Sequence, residues 1–471
     1  MNKAQLLNQL EKSDSEYLNF ENDFKFQDLT TNLQNSNDKI AAVYNFSDEA
    51  SEALFKERLS KVSPVLLFLN KKPSFNIKCP TVVIDFKKEN IILESILNSL
   101  YPINASTPKV LGVTGTNGKS TCVCLCEQLL LQQGIPSGSL GTVGVTANGE
   151  ILDLGITGTT PSYIDLRRIL SSLSSKIKFL FMEVSSHAID QKRLGSIKLS
   201  GAGWTSFSQD HLDYHGTMEE YFRAKAEIVD LFISSDTKLV VPPAQEKLYQ
   251  EIKDFLNGSG RDSNLLKARE LSEFSVGELP PFFKVHYNKD NLALSLELVS
   301  EWIDFKKVKL DTLSTPKGRF SVLPVKGAFA IVDYAHTPDA IENLVEATVK
   351  AFPDSRVITL FGCGGDRDKT KRPKMAMAAE KSSTEVIVTS DNPRSEEPEN
   401  IINDIVAGLK KKPLLVEVDR EKAIKEGVKN LQDGDVLLIA GKGHEEYQEI
   451  KGEKVFFSDF AVVDSIREEN D

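Results

Sequence analysis

The segment 109–133 constrains the fold of this 471-residue chain more than any other part of the sequence. An apolar run at 109–114 stops at the glycine-rich turn 115–118, and a helical pattern then continues from 120 to 133. A strand, a glycine loop and a helix in this order begin an α/β nucleotide-binding unit. The segment therefore predicts an α/β fold that binds a ligand at the loop.

The loop predicts a phosphate-binding site for ATP at Gly115, Thr116, Asn117, Gly118, Lys119, Ser120 and Thr121. Backbone N–H groups of such a loop, together with the positive end of the following helix, attract phosphate oxygens. Lys119 is expected to reach the β- and γ-phosphates, and the Ser120 hydroxyl to bind Mg²⁺. The strict pattern has a glycine where this chain has Val113, so the loop is a variant. The alternative is a helix N-cap followed by a chance Gly-Lys-Ser.

Other apolar runs predict further α/β units on both sides of this one. Buried strands are expected at 63–69 and 81–85, a helix at 91–100, and a linker at the proline-containing stretch 101–108. A second series begins near residue 325, with strands predicted at 329–332, 357–361, 386–389, 414–418 and 436–440. Nearly continuous apolar runs of this kind are typical of a parallel sheet covered by helices on both faces.

The length agrees with three domains, since a domain takes roughly 150 residues. We expect a divergent N-terminal α/β domain at 1–105 and a central P-loop ATPase-like α/β domain at 106–322. A C-terminal Rossmann-like α/β domain is expected at 323–471.

The composition narrows the possible functions. Lys and Arg number 57 and Asp and Glu 68, so the net charge of −11 disfavours nucleic acid as a partner. We find no apolar run long enough to span a membrane, and the polar start resembles neither a signal nor a transit peptide. Cys122, Cys124 and Cys126 are spread around one predicted helix, which favours buried thiols over a metal site. A reducing cytoplasm is the expected location.

Two clusters in the central region predict metal chemistry. Glu183 follows the apolar run 179–182, where P-loop enzymes place a second Mg²⁺ ligand, although a surface carboxylate is the alternative. His211 and His215 are four residues apart, a spacing that a zinc hydrolase would use on a helix. That function leaves the phosphate loop unused, so a role in MgATP chemistry is favoured. His286 is interpreted as structural.

Polar residues follow the strand ends of the C-terminal series, where open α/β sheets bind ligands: Asp333, Asp366, Asp391 and Gly441. Arg367 and Arg394 lie nearby in sequence, and an arginine fork matches a carboxylate. The cluster suits a ligand that carries both ammonium and carboxylate groups. The alternative is a solvated network of salt bridges.

Taken in order, these segments resemble the Mur ligases, the ATP-dependent enzymes that add amino acids to the peptidoglycan precursor. The resemblance runs from about Thr107 to the C-terminus, over GVTGTNGKST, TTP, MEVSSHAIDQKR, SQDHLDYHGTMEEYFRAKAEI, NKDN, KGR, VDYAHTPDA, FGCGGDRDKTKRP, DNPRSEEP and AGKGHEEYQ. It does not extend to the first hundred residues, which lack the family's uridine-binding elements. Ser321 also stands where relatives commonly have Glu.

The resemblance implies three groups of binding residues. To the loop it adds the ATP-binding residues Asn288, Asn291, Arg319, Asp333, Tyr334 and His336. It assigns the UDP-N-acetylmuramoyl (UDP-MurNAc) dipeptide to Thr159, Thr160, Ser185, Gln191 and Arg193. It assigns diaminopimelate to Arg367, Asp391, Asn392, Pro393, Arg394, Gly441 and Glu445.

The resemblance also implies the catalytic and metal-binding residues. Lys119, Glu183, His211 and Lys225 would be catalytic, and the Mg²⁺ ligands would be Ser120, Glu183, His211 and Lys225. Lys225 would take up CO₂ and become N6-carboxylysine, because a carbamate is an anionic oxygen ligand and an ammonium is not. The local pattern alone predicts that Lys225 is an exposed helix lysine.

The implied reaction joins meso-diaminopimelate to the D-glutamate of UDP-MurNAc-L-Ala-D-Glu through an acyl phosphate, with ATP and Mg²⁺, in a monomer. Arg394 would choose diaminopimelate over lysine, because it would lose its partner if the second carboxylate were absent. The alternatives are a lysine-adding ligase, a ligase like folylpolyglutamate synthase, and a non-catalytic nucleotide-binding homologue.

Overall fold

The computed structural model describes residues 1–11, 13–154, 158–261, 264–274, 279, 283 and 286–468. They form three α/β units, each built around its own sheet. Within this described part, none of the helices is both long enough and apolar enough to cross a membrane.

The N-terminal unit has five short strands: β1 Glu16–Leu18, β2 Asp28–Thr30, β3 Ile40–Tyr44, β4 Leu67–Leu69 and β5 Thr81–Val83. Their order is β1-β5-β4-β3-β2, and only β1 is antiparallel to its neighbour. The helices of the unit are α1 Lys3–Leu10, α2 Glu49–Leu59 and α3 Asn90–Leu100. Successive residues Leu67 and Phe68 are fully buried in different apolar clusters, so both faces of the sheet are covered.

The central unit has eight strands: β6 Lys109–Thr114, β7 Ser137–Gly141, β8 Gly144–Ala147, β9 Glu150–Leu152, β10 Phe179–Glu183, β11 Leu199–Trp204, β12 Lys238–Val241 and β13 Asn264–Lys267. Their order is β13-β12-β11-β6-β10-β7-β8-β9, parallel up to β7 and antiparallel beyond it. Its helices are α4 Lys119–Gln132, α5 Tyr163–Leu173, α6 Ser186–Asp190, α7 Leu212–His215, α8 Met218–Ala226, α9 Glu246–Ser259 and α10 His286–Leu298. The first strand, β6, lies in the interior of the sheet and delivers the glycine loop at its carboxyl end.

The C-terminal unit has six strands: β14 Ser321–Val325, β15 Ala328–Asp333, β16 Val357–Phe361, β17 Glu385–Thr389, β18 Leu415–Glu417 and β19 Val436–Ala440. Their order is β14-β15-β19-β16-β17-β18, with only β14 antiparallel. The hairpin strands are β20 Tyr447–Ile450 and β21 Glu453–Phe456, and the helices are α11 Pro338–Ala351, α12 Lys371–Ser382, α13 Pro398–Val406, α14 Arg420–Lys429 and α15 Asp459–Glu468. Ile358 and Leu438 lie in different apolar clusters, on opposite faces of the sheet.

The predicted α/β class with three units is confirmed, and so is the strand–loop–helix at 109–132. The domain limits themselves stay a prediction; the three sheets span residues 16–83, 109–267 and 321–440. Strand β14 crosses the predicted limit at 322/323 and pairs with β15. The sequence did not reveal β14 as a strand, since it is an edge strand with alternating exposure and contains Pro324.

All five cysteines are free thiols. Cys122 and Cys126 are fully buried and Cys124 is half-buried. They pack within the helix layer of the central unit, as the sequence predicted.

Candidate active site

The phosphate loop lies between β6 and α4 and has the backbone of an anion-binding turn. Gly118 has φ of +88°, and a Cβ there would lie 2.4 Å from Asn291 Oδ1, so only glycine fits without displacement. Lys119 Nζ folds back over the loop and donates to Gly115 O at 2.9 Å and Thr116 O at 2.8 Å. The ammonium group is therefore held where phosphate oxygens would approach the loop.

A cleft of about 240 Å³ opens beside this loop, between the central and C-terminal units. Most of the predicted ATP-binding residues line it: Asn117, Gly118, Thr121, Asn288, Asn291, Arg319 and Asp333. Tyr334 and His336 are adjacent, since the Arg319 guanidinium lies 4.6 Å from the Tyr334 ring and His336 Nδ1 donates to Tyr334 O at 2.9 Å. The cleft is lined by two units, so it depends on how they pack together.

Several residues of this cleft were not predicted to bind a ligand, among them His286 and Asp290. His286, interpreted as structural from the sequence, lines the cleft and has Nε2 2.8 Å from Asn343 Oδ1. Asp290 also lines it, and burial raises the pKa of its carboxyl to about 6. The one available signal was the position of Asp290 between two predicted ATP-binding residues, Asn288 and Asn291.

Glu183 ends β10 directly behind the loop. It is 1% exposed, which excludes the alternative of a surface carboxylate. Ser120 Oγ donates to Glu183 Oε1 at 2.7 Å, and Arg319 Nη2 donates to Ser120 Oγ at 3.1 Å. A hydroxyl and a carboxylate oxygen side by side are hard oxygen ligands that fit Mg²⁺.

Lys225 lies on α8 and is 1% exposed, so the sequence pattern that predicted an exposed lysine was wrong. The helix turns this face toward the phosphate loop, and Lys225 Nζ donates to Gly115 O at 3.0 Å. In the described part of the chain no carboxylate forms an ion pair with it. Burial, and the charge of Lys119, lower its pKa well below the usual value, which favours a neutral amine.

His211 and His215 have separate partners. His211 Nε2 lies 3.3 Å from Asp210 Oδ2, whereas His215 Nε2 lies 2.9 Å from Ser186 Oγ. Burial lowers the pKa of His211 to about 3, so its imidazole is neutral and keeps a lone pair for a metal. Among the described residues, no three His, Cys, Asp or Glu side chains are grouped to hold a metal as the zinc alternative requires.

The residues predicted to hold the UDP-linked dipeptide form one connected group. Thr160 Oγ1 donates to Glu183 O at 2.8 Å and accepts from Ser185 N at 3.1 Å. Arg193 Nη1 donates to Thr160 O at 2.9 Å, and its Nη2 donates to Gln191 Oε1 at 2.7 Å. The group is thus tied to the strand end that carries Glu183.

The residues predicted to bind the amino acid converge at the carboxyl ends of β17 and β19. Asn392 Nδ2 donates to Glu445 Oε2 at 3.0 Å, and a Cβ on Gly441 would lie 2.5 Å from Asp391 Oδ2. Arg394 follows Pro393 with φ of +53°; its Nη1 donates to Gly365 O at 2.7 Å and its Nε lies 3.4 Å from Glu449.

Arg367 is directed toward the central unit. Its Nη1 lies 3.7 Å from Asp213 Oδ2 of the central unit. Both arginines nevertheless flank Gly364: a Cβ there would lie 2.8 Å from Arg394 Nη1 and 3.6 Å from Arg367 Cγ.

Contacts between the central and C-terminal units complete the site. Asp210 has a 5% exposed side chain and lies 3.1 Å from Lys371 Nζ. His444 Nε2 donates to Thr142 O at 3.2 Å, and Thr142 N donates to Glu183 Oε1 at 2.9 Å. Thr142, Lys371 and Lys442 were not predicted to take part in the site. Lys371 and Lys442 lie inside the motifs that carry the resemblance, whereas Thr142 follows the segment SGSLG, which carries no signal.

Two segments of the chain match known protein-family domains. Residues 113–301 match the Mur ligase middle domain, and residues 318–443 match the glutamate ligase domain of Mur ligases. A UDP-N-acetylmuramoyl-L-alanyl-D-glutamate–2,6-diaminopimelate ligase from Leptospira borgpetersenii is 36% identical over 438 residues, covering 86% of this chain and 87% of the relative.

Two solved structures have the same fold. One of them, a UDP-N-acetylmuramoyl-L-alanyl-D-glutamate–2,6-diaminopimelate ligase, is 26% identical with a TM-score of 0.54 and covers 94% of this chain and 95% of its own. A bifunctional folylpolyglutamate synthase/dihydrofolate synthase from Yersinia pestis is 19% identical with a TM-score of 0.57, covering 75% of this chain and 90% of its own. The second likeness concerns the fold alone.

Proposed function

Because the chain belongs to the Mur ligase family, we propose that it adds meso-diaminopimelate to the D-glutamate of UDP-MurNAc-L-Ala-D-Glu, using ATP. Such a reaction belongs to peptidoglycan synthesis and takes place in the cytoplasm, where ATP and the UDP-linked precursor are found. The nearest competing proposals are a lysine-adding ligase and a folate-type ligase of the same fold.

The contacts of Thr142 carry the proposal. Its N–H donates to Glu183, its hydroxyl lies 3.1 Å from Thr159 Oγ1, and its carbonyl accepts from His444. Glu183 belongs to the predicted metal group and Thr159 to the predicted dipeptide group, and His444 directly precedes Glu445 of the predicted amino-acid group. Thr142 thus contacts two of the groups directly and a neighbour of the third, which brings the three groups together as a ligase needs if the phosphoryl group, the carboxylate and the amine are to meet.

The reaction follows in two steps. A carboxylate oxygen of D-glutamate attacks the γ-phosphorus of ATP, the bond to ADP breaks, and an acyl phosphate forms. The diaminopimelate amine then attacks the carbonyl carbon and loses a proton, and the tetrahedral intermediate expels phosphate. Lys119, held over the loop carbonyls, and Arg319, 3.1 Å from Ser120 Oγ, place positive charge where the phosphoryl oxygens gain negative charge.

The donor set supports two Mg²⁺ positions. Ser120 and Glu183 would hold one ion, and His211 with carbamylated Lys225 would hold the other. When bound, Mg²⁺ neutralises negative charge on the phosphates. The buried, neutral Lys225 amine, with no carboxylate partner among the described residues, can attack CO₂ and release one proton, which turns the amine into an anionic metal ligand.

Arg394 supports diaminopimelate over lysine. Its side chain is 23% exposed and rests against Gly365 O and Glu449, so it can turn to a ligand carboxylate without entering water. Lysine has no second carboxylate, and binding it would leave the guanidinium without that partner. A site built around such a polar contact rejects the analogue that lacks it.

The test is ADP release by the whole chain with UDP-MurNAc-L-Ala-D-Glu, comparing meso-diaminopimelate with L-lysine. We expect release only when the dipeptide and diaminopimelate are both present, and an Arg394→Ala variant should lose about 100-fold or more in kcat/KM for diaminopimelate. Equal rates with lysine would contradict the selectivity. No release with either amino acid would contradict the function and favour the non-catalytic alternative.

A further inference from the structure

We propose that Lys442 is a positioning residue for the amino-acid substrate. Its ammonium group holds the side chains of Glu445 and Asn392 in place and offsets the negative charge of the amino-acid site. This inference rests on the proposed function, since it concerns the same amino-acid site. Lys442 is not among the residues that the sequence or the resemblance predicts to bind a ligand.

Lys442 is 0% exposed, although it follows β19 by only two residues. Its Nζ donates to Asn392 Oδ1 at 3.1 Å and to Glu445 Oε2 at 3.1 Å. Asn392 Nδ2 donates to the same Glu445 oxygen at 3.0 Å, which closes a three-membered ring of side chains. Asp391 Oδ1 lies 4.0 Å from Nζ.

This geometry occupies one oxygen of Glu445 and leaves the other less engaged. Glu445 Oε2 accepts from both Lys442 and Asn392, whereas Oε1 has a 3.5 Å contact with Tyr334 OH. An incoming ammonium group would therefore meet Oε1 of a carboxylate that cannot swing away. Holding a binding group in place before the ligand arrives lowers the entropy cost of binding.

Lys442 also balances the charge of the site. Asp391 is a buried carboxylate after β17, Glu445 is a half-buried carboxylate after β19, and Glu449 adds a third. Without the lysine, Asp391 and Glu445 would repel each other in a region partly shielded from water. The amino acid carries both an ammonium and a carboxylate group. A site with this excess of negative charge would still attract the ammonium group but would repel the carboxylate, so the affinity for the zwitterion should fall.

The experiment compares Lys442→Met with wild type in the ADP-release assay at saturating dipeptide. We expect KM for meso-diaminopimelate to rise about 30-fold or more, as for one partner removed from a buried charged pair, while KM for ATP stays within about twofold. Isothermal titration of meso-diaminopimelate into the protein with ADP should show the same loss without requiring turnover. If Lys442→Met does not fold, Lys442→Gln, which keeps one donor group, replaces it.

The matched control is Lys238→Met. Lys238 is also buried, at 7% exposure, and forms an ion pair with Glu301 at 3.0 Å; it begins β12 at the amino end of that strand, and Glu301 is not a predicted ligand residue. This variant should lose stability and leave KM for diaminopimelate unchanged. A similar KM increase in both variants would mean that Lys442 is only structural.

A double-mutant cycle tests whether Lys442 acts through Glu445. In a Glu445→Gln background, Lys442→Met should change KM for diaminopimelate by less than about threefold, because the group it positions has lost its charge. Additive effects, or a normal KM in Lys442→Met, would overturn the inference while leaving the proposed function intact. A wild type that binds diaminopimelate but releases no ADP would overturn the proposed function alone; one that does neither would overturn both.

Discussion

The ion pair between Asp210 and Lys371 gives a sharp test of how the cleft is held closed. Asp210 belongs to the central unit and Lys371 begins α12 of the C-terminal unit. Their side chains are 5% and 12% exposed and their charged atoms are 3.1 Å apart. Lys371→Met keeps the apolar part of the side chain and removes the positive charge. The buried Asp210 carboxylate then loses the charge that offsets its own.

The burial of the two side chains sets the expected loss in the free energy of unfolding. Removing one partner of a buried pair costs about 3–5 kcal/mol. Asp210 Oδ1 keeps the hydrogen bond that it accepts from His211 N at 3.0 Å, so the carboxylate retains one donor, which favours the lower end. With an unfolding entropy of about 2.1 cal/mol/K per residue, 471 residues give about 1 kcal/mol per degree, so Tm should fall by about 3 °C if the chain unfolds as one unit.

Thermal unfolding followed by circular dichroism measures this shift, with Lys381→Met as the control. Lys381 lies on the same helix and pairs with Glu342, but the two side chains are 59% and 39% exposed. An exposed pair contributes at most about 1 kcal/mol, so the control should lose no more than about 1 °C. Because Asp210 Oδ2 lies 3.9 Å from Nε2 of His336, a predicted ATP-binding residue, Lys371→Met should also raise KM for ATP. Equal Tm values for the two variants would refute the claim that this pair holds the units together.

Two further predictions concern the nucleotide cleft. Gly118→Ala should raise KM for ATP at least about tenfold, because the left-handed backbone and the clash with Asn291 Oδ1 together cost about 2–4 kcal/mol. The control is Gly134→Ala. Gly134 also has a positive φ, of +69°, but a Cβ there would meet open space, so KM for ATP should stay unchanged. Asp290→Asn tests the pKa of the Asp290 carboxyl, which burial raises to about 6. The folded state binds the carboxyl proton more tightly than the unfolded state does. The stability that the protonated carboxyl contributes is therefore present below pH 4 and is lost as pH rises through 6. The Tm of Asp290→Asn relative to wild type should therefore increase between pH 5 and pH 8, and a constant difference would contradict the assignment.

Local patterns were enough for the elements around the phosphate loop. The apolar run before Gly115, the glycine turn and the helix after it depend on interactions between near neighbours, and the structure has β6 and α4 within a residue of the expected limits. The continuous apolar strands of the C-terminal unit were equally legible, because both faces of their sheet are buried. The order of the motifs then indicated the family.

The same patterns failed where a residue depends on distant parts of the chain. Lys225 looks like an exposed helix lysine in its own segment, and only the packing of α8 against the phosphate loop buries it. The short edge strand β14 was missed because one of its faces meets solvent.

The sequence by itself determined the α/β class, the phosphate loop and the order of the motifs, because these follow from periodicity and from residue types close together in the chain. Only the tertiary structure decided which side chains share a site: Lys442 meets Asn392 across 50 positions, and His444 meets Thr142 across 302. Parallel strands bring their carboxyl ends to one edge whatever their separation in sequence. The packing of the two units then sets the charges and hydrogen bonds that each group experiences.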